Sequence, residues 1–412
     1  MKETLLIIGA GQAAIQAVIS LRQMNYQGNI KIIGEEPFLP YQRPPLSKKF
    51  LAGQLDKNRL FIRSKNFYQR QEIELLLNSK VASIDPKNQN ILTEDGNSLN
   101  YSKLLIATGS RARELKVPGI NLSGIHYLRN INNVQTIQNQ MVAGNKLVII
   151  GAGYIGLEVA SVAVKLGLDV TILETESRVM NRVVASEISN FFELIHKRAG
   201  VKFKFKQKVE GFAGDTSLKE VLCSGGKRYA ADLCIIGIGN LPNQEIAAQS
   251  GINYENGILV DEYCQTSEEN IFSAGDCTNH PNKLIGMNLR LESVHNAIEQ
   301  GKTSASSITG TKNAYNQIPW FWSDQYDLKL QIVGLSQGYN ELIIRGNPKS
   351  KSFSGFYMKN RKILAVDAIN KPREFMLAKK LISAGVEIDP EKIADSTTDF
   401  KFLAEQALKR GI

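Results

Sequence analysis

Lys146-Leu147-Val148-Ile149-Ile150-Gly151-Ala152-Gly153-Tyr154-Ile155-Gly156-Leu157-Glu158 is the stretch that decides the fold. The apolar run from Lys146 to Ile150 reads as a buried parallel strand, and Leu157 to Lys165, beyond the glycines, has the periodicity of a helix. A second apolar strand, Asp169-Val170-Thr171-Ile172-Leu173, ends in Glu174, eighteen residues past the third glycine. Strand, glycine turn, helix, strand and terminal acid together make the fingerprint of a dinucleotide-binding unit. Gly151 makes the tight turn, Gly153 lets the backbone approach a pyrophosphate, and Gly156 lets helix and strand pack closely. The helix N-terminus, with unpaired N–H groups and a favourable dipole, is where the pyrophosphate belongs.

Working outward, the same device occurs earlier. Thr4-Leu5-Leu6-Ile7-Ile8 precedes Gly9-Ala10-Gly11-Gln12-Ala13-Ala14, the variant that ends in alanine. A helix is expected from about Ala13 to Met24, then a strand from Asn29 to Ile33 leading to Glu35, placed to accept hydrogen bonds from an adenosine ribose. Each fingerprint is followed by period-2 segments. After the first come Val81 to Gly109, with turns at Asp85-Pro86-Lys87 and Glu94-Asp95-Gly96, returning through Leu104-Leu105-Ile106-Ala107-Thr108-Gly109. After the second come a helix from Ala185 to Arg198, strands Val201 to Gln207 and Leu218 to Cys223, and a return from Asp232 to Gly239. Two copies of one unit about 140 residues apart imply two similar domains, each holding one dinucleotide.

A short strand, Asn270-Ile271-Phe272-Ser273-Ala274, closes in Gly275-Asp276 after the second unit has ended, so it is assigned to the first, with Asp276 at the ligand crevice. Between Pro40 and Lys48 the prolines stiffen a loop that carries Arg43 and Lys48, cations suited to a pyrophosphate or a flavin edge. Beyond Pro319 no fingerprint recurs. Strands are expected at Leu328 to Leu335, Glu341 to Arg345, Phe353 to Met358 and Ile363 to Ala368, with helices at Glu374 to Ser383 and Phe400 to Lys409. The fold class is therefore α/β, two Rossmann-like domains plus a C-terminal α+β domain. The expected boundaries are 1–115 with 244–318, 116–243, and 319–412.

The 412 residues, 43% apolar and 22% charged, suit an ordinary globular chain of two or three domains. No stretch of about eighteen apolar residues is present to span a membrane, and Leu5 to Ile8 reads as a strand rather than a signal peptide. Cys223, Cys234, Cys264 and Cys277 form no C-x-x-C pair, which suits a reducing cytoplasm and argues against a redox-active disulfide. His126, His196, His280 and His295 show no metal-ligand spacing, so no metal site is expected. The net charge of +10 suggests an acidic partner or a polyanion. In the C-terminal segment the basic run is Arg345, Lys349, Lys351, Lys359, Arg361, Lys362, Lys371 and Arg373. Two dinucleotides without a metal cluster suggest a resident flavin and a visiting nicotinamide.

The two fingerprints, together with Arg43-Pro44-Pro45-Leu46-Ser47-Lys48, Ala107-Thr108-Gly109, Gly275-Asp276 and Pro319-Trp320-Phe321-Trp322-Ser323-Asp324-Gln325, resemble the FAD-dependent, NADH-using ferredoxin reductases of oxygenase systems. The resemblance covers nearly the whole chain; apoptosis-inducing factors are more distant members of the same fold. It implies a glutathione-reductase-like arrangement, bound FAD, NADH as substrate and a small acidic [2Fe-2S] ferredoxin as partner, with no nucleic acid and no stated oligomeric state. It implies FAD contacts for Ala13, Glu35, Lys48, Val81, Arg129, Asp276 and Val294, and a pairing of Lys48 with Glu158 near the reactive edge of the flavin. Glu174 would bind the NADH ribose; Thr175 and Glu176 offer no arginine for a 2′-phosphate, although Arg178 and Arg182 complicate the preference. Trp320 and Trp322 would lie beside the isoalloxazine, and Ala107, Ile155, Arg182 and Gly239 complete the candidate cofactor-binding set. His295 departs from the family pattern. A rubredoxin reductase and an NADH-sensing binding module are the competing readings.

Overall fold

The computed structural model describes residues 2–283 and 286–410, which form two compact units. The first is built from the described parts of Met1–Arg43, Lys57–Arg111 and Asn240–Pro319, the second from Pro44–Asp56, Ala112–Gly239 and Trp320–Ile412.

In the first unit a five-stranded parallel sheet runs in the order Ile271–Ser273, Lys103–Ile106, Thr4–Ile8, Asn29–Gly34, Ile73–Leu77. Thr4–Ile8 lies at its centre, with Ile8 opposite both Ile33 and Ile106. Its run of apolar residues is continuous because both faces are covered. Leu5 and Ile7 pack on the helices Gln12–Gln23 and Val294–Ile308, while Leu6 and Ile8 pack under the antiparallel meander of Val81–Asp85, Asn90–Thr93 and Ser98–Asn100. The two helices touch at Gly301, where a Cβ would meet the Ala13 carbonyl oxygen at 2.7 Å. The helix Val294–Ile308 is capped at its start by Ser293, whose Oγ accepts from the Asn296 N–H at 3.0 Å.

The second unit repeats the plan. Its parallel sheet runs Lys202–Lys204, Asp169–Leu173, Lys146–Ile150, Leu233–Ile236, Ile125–Tyr127. Val148 and Ile150 face an antiparallel meander of Val209–Gly214, Leu218–Cys223 and Lys227–Ala230. The run expected as one strand from Val201 to Gln207 is divided. Lys202–Lys204 pairs with the sheet edge, the chain turns through Lys206 at φ +55°, and the meander begins only at Val209. The edge strands Ile73–Leu77 and Ile125–Tyr127 were not expected from sequence.

The C-terminal segment, read from sequence as a domain apart, shares the second compact unit and has its own antiparallel sheet. Its order is Trp320–Gln325, Leu328–Gly334, Lys362–Ile369, Ser352–Lys359, Glu341–Asn347. The helices Pro372–Ala384 and Phe400–Arg410 complete it; the first opens on proline and ends at Gly385, whose φ of +62° suits a glycine cap. Trp320–Gln325 escaped the strand reading because Ser323 and Gln325 are the fully buried residues while its aromatics are only half-buried. One member of the basic run is not at the surface. The Arg345 guanidinium is buried, donates to the carbonyls of Ile393, Asp395 and Thr398 and lies over the Phe400 ring.

Candidate active site

Both glycine turns are shaped by their own backbone. Gly9 has φ +107° and a Cβ there would fall 2.2 Å from the Ala107 carbonyl oxygen; Gly151 has φ +103° and would meet the Gly237 oxygen at 2.3 Å. The third glycine of the second loop is equally confined, since a Cβ on Gly156 would lie 2.2 Å from the Gly151 oxygen. The middle glycines differ. Gly11 and Gly153 are the N-caps of the helices Gln12–Gln23 and Tyr154–Lys165, neither provides a side-chain cap, and a Cβ on either meets nothing within 4 Å. Each loop thus presents uncapped helix N–H groups beside open backbone, the surroundings an anionic diphosphate needs.

One turn into the second helix lies a buried carboxylate. Glu158 is 3% exposed, in a helix buried all round from Gly156 to Ala163. Burying a carboxylate is costly unless it is paired and hydrogen-bonded, and here it is both. Oε2 is 2.7 Å from Lys48 Nζ and accepts from Ser47 Oγ at 2.5 Å, while Oε1 accepts from Ser323 Oγ at 2.6 Å. Ser47 ends the 3-10 turn Pro44–Ser47, whose prolines fix the backbone that delivers both donors. Lys48 donates in addition to the Pro44 carbonyl at 3.2 Å. An ammonium has three N–H groups, so the Glu158 pair and the Pro44 bond do not exhaust it.

Glu174, at the end of the second strand, is locked onto its own glycine loop. Oε2 accepts from the Ala152 N–H at 2.7 Å, and Oε1 from the Glu176 N–H at 3.0 Å and the Thr175 hydroxyl at 3.1 Å. Lone pairs remain on both oxygens for ribose hydroxyls. Arg178 is occupied elsewhere, donating to Val184 and Asn181 carbonyls at 2.7 and 2.8 Å, whereas Arg182 is exposed.

Comparison with known proteins agrees with this geometry. Residues 3–301 match the pyridine nucleotide-disulphide oxidoreductase family and residues 320–404 the reductase C-terminal family. The chain belongs to the pyridine nucleotide-disulphide oxidoreductases. Within that family it is a ferredoxin reductase of the putidaredoxin reductase type. It is 38% identical to putidaredoxin reductase of Pseudomonas putida over 405 residues, 97% of this chain and 96% of that one. It is 40% identical to rhodocoxin reductase of Rhodococcus erythropolis over 399 residues, 97% of this chain and 93% of that one. Among solved structures it is similar to the covalent putidaredoxin reductase–putidaredoxin complex, with a TM-score of 0.95, 38% identity and coverage of 98% and 99%. FAD and NAD(P)H are the cofactors of this reductase, and two open glycine loops, each with an acid at the following strand end, fit two dinucleotides.

The remaining candidates divide by surroundings. Asp276 follows Gly275 (φ +92°) at the end of the strand Ile271–Ser273, and its Oδ2 accepts from Ser110 Oγ at 3.0 Å. The Gly275 N–H donates to Gln300 Oε1 at 2.7 Å, which fixes the turn. Val294 is the half-buried first residue of its helix, followed by the buried His295. Arg43 is engaged by Glu36, at 2.7 Å, and by the Tyr41 hydroxyl at 3.0 Å, while Glu35 is exposed. Ala13, Ala14, Val81 and Ala107 are buried; Ile155 and Gly239 are exposed, and Arg129 is half-buried. Trp320 and Trp322 have ring centroids 5.5 Å apart, and Phe375 lies 5.6 Å from Trp320. Sequence reasoning missed Ser47, Ser110 and Ser323. Ser47 and Ser323 lay inside strings already singled out, but a serine has no pattern that announces which carboxylate it will meet.

Proposed function

We propose that this reductase takes electrons from NADH through FAD to a small acidic [2Fe-2S] ferredoxin that serves a cytochrome P450 or another oxygenase. The observation that carries this reading is the state of its sulfur. All four cysteines are free and buried. Burial pushes the Cys223 thiol up to about 11 and Cys264 to about 12, and raises Cys234 and Cys277 as well. A thiol kept protonated is neither nucleophile nor redox partner, so the disulphide chemistry of the wider family has no group here to perform it. When bound, FAD accepts a hydride from a nicotinamide and returns electrons one at a time.

The protein's own residues bind and orient. Segments 1–115 and 244–318 hold FAD through Gly9, Gly11, Ala13, Ala14, Asp276 and Val294, with Ala107, Gly275 and Gln300 shaping the turns. Segment 116–243 holds NADH through Gly151, Gly153, Gly156 and Glu174. Glu158, fixed by Ser47 and Ser323, holds the Lys48 ammonium, whose free N–H serves the flavin. Trp320 and the exposed cations of 319–412 face the partner. A cytoplasmic setting suits the four unpaired thiols. Glu174 at the strand end suits ribose hydroxyls and repels a 2′-phosphate, and Arg178 is tied to backbone carbonyls, so NADH is preferred.

The test combines acceptor and donor. Purified holoenzyme should reduce a [2Fe-2S] ferredoxin with NADH much faster than it reduces a rubredoxin; the reverse ranking would assign it as a rubredoxin reductase. Glu174→Arg should lower the NADH-to-NADPH ratio of kcat/KM roughly a hundredfold or more, the worth of about 3 kcal/mol in lost ribose bonds and added phosphate pairing. A ratio that stays put would remove Glu174 from the ribose site.

A further inference from the structure

The bonds that hold Glu158 do not stop at Ser323. Ser323 Oγ accepts from Gln325 Nε2 at 3.2 Å, Gln325 Oε1 is 2.9 Å from His196 Nε2, and His196 Nδ1 is 3.0 Å from the Tyr326 hydroxyl. The polarity of the whole chain follows from Glu158. A carboxylate only accepts, so the Ser323 hydroxyl donates to Glu158 and has only its lone pairs left for Gln325. The amide nitrogen must therefore face Ser323 and the amide oxygen His196. His196 in turn carries its proton on Nε2 and accepts from Tyr326 at Nδ1. Burial, opposed by the bond to Gln325, holds the imidazole at about 4, so it is neutral and suited to these two roles.

Tyr326, at the far end, opens the two-residue turn between the strands Trp320–Gln325 and Leu328–Gly334, and its φ of +57° meets the demand of that tight hairpin. Its ring packs 4.8 Å from the His196 ring and lies 5.7 Å from Lys165 Nζ. Three elements meet in this chain: the helix Ser186–Arg198 gives His196, the strand Trp320–Gln325 gives Gln325 and Ser323, and the helix Tyr154–Lys165 gives Glu158. An amide does not relay protons, so the chain orients and does not conduct.

The geometry points to His196 and Gln325 as positioning residues that act through Ser323 to hold Glu158, and through Glu158 the Lys48 ammonium. The inference rests on the proposed role of the Lys48–Glu158 pair. Its deciding readout, the labelling of Lys48, needs neither nicotinamide nor electron acceptor, so it can fail while that role stands.

The FAD-loaded enzyme is treated with trace acylating reagent, and peptide mass spectrometry gives the labelling of Lys48 relative to exposed Lys65. Lys103, half-buried and paired with Glu3 at 3.0 Å, serves as control. Ser323→Ala, Gln325→Met and His196→Phe should each raise the Lys48 ratio roughly threefold or more and leave the Lys103 ratio unchanged. The same variants should slow flavin reduction by NADH roughly tenfold, the upper worth of one lost hydrogen bond, with NADH affinity changed less than threefold. Unchanged Lys48 labelling in folded Gln325→Met or His196→Phe overturns the inference, even if Ser323→Ala responds. An equal rise at Lys103 also overturns it, because the effect would then be general loosening. Should His196→Phe not fold, Gln325→Met and Ser323→Ala decide by the same criteria.

Discussion

At the scale of single residues, the glycines of each fingerprint separate into those the fold needs and those a ligand needs. Gly156 has no room for a methyl group, because the Gly151 oxygen stands 2.2 Å from its Cβ position. Gly153 has ample room and an extended backbone (φ −78°, ψ −176°) that alanine accepts. Gly156→Ala should therefore destabilise the protein by about 2 kcal/mol or more through overpacking, read as a lower unfolding midpoint in urea. Gly153→Ala should leave that midpoint within about 0.5 kcal/mol and instead weaken NADH binding roughly tenfold, since its methyl group would occupy the approach of the diphosphate. Comparable losses of stability in both variants would mean that the open face of Gly153 has no bearing on binding. The same scale shows why Glu158 was legible only by resemblance. Its spacing from the glycines marks a helix face, and nothing local says that Ser47 and Ser323 will close around it.

At the scale of elements, the C-terminal sheet carries a titratable group in its core. Asp367, 1% exposed in the strand Lys362–Ile369, receives the Tyr357 hydroxyl, which itself accepts from the Ala185 N–H at 2.8 Å. Burial outweighs that hydrogen bond and raises the carboxyl to about 7 from an ordinary value of 3.8. The folded state then binds the proton more tightly than the unfolded chain. Its stabilising contribution is complete below about pH 4, declines as pH rises and is gone above about pH 7, at up to about 1.4 kcal/mol per unit. Thermal unfolding of parent and Asp367→Asn from pH 4 to 8 checks this: the variant should lack the decline. Parallel curves would place the titration elsewhere. Most elements with apolar alternation or continuous apolar runs were readable, down to the meanders, although the edge strand Ile73–Leu77 was not. Trp320–Gln325 was not, because it buries its polar residues and leaves its aromatics half-exposed, reversing the pattern that marks a strand. Arg345 was misplaced for a related reason. A cation in a basic run resembles its neighbours until the fold supplies three carbonyls and a ring to bury it.

At the scale of the whole molecule, the positive charge that stays at the surface of the C-terminal segment is that of residues such as Lys349, Lys359, Lys362, Arg373 and Lys380. Exposed charges steer an acidic protein partner only over about a Debye length, roughly 10 Å at 0.1 M salt. Raising ionic strength from about 0.05 to 0.5 M should lower kcat/KM for the ferredoxin roughly tenfold, mainly through association, while reduction of a neutral quinone stays nearly constant. Equal salt sensitivity with both acceptors would locate the effect in NADH binding or in the flavin, not in docking.

The amino-acid sequence alone determined the two dinucleotide units, because glycines at fixed spacing between an apolar strand and a helix satisfy steric demands that act within a few residues. It also showed that no C-x-x-C pair is present, and through its strings carried the resemblance that named flavin, nicotinamide and ferredoxin. Only the tertiary structure decided what lies around Glu158, how Arg345 and Arg178 spend their charge, and that four thiols are buried. Those outcomes depend on serines, carbonyls and aromatic rings brought together from segments as far apart as 165 positions, the separation of Glu158 and Ser323. No local preference encodes such a meeting; the packing of helices on sheets creates it.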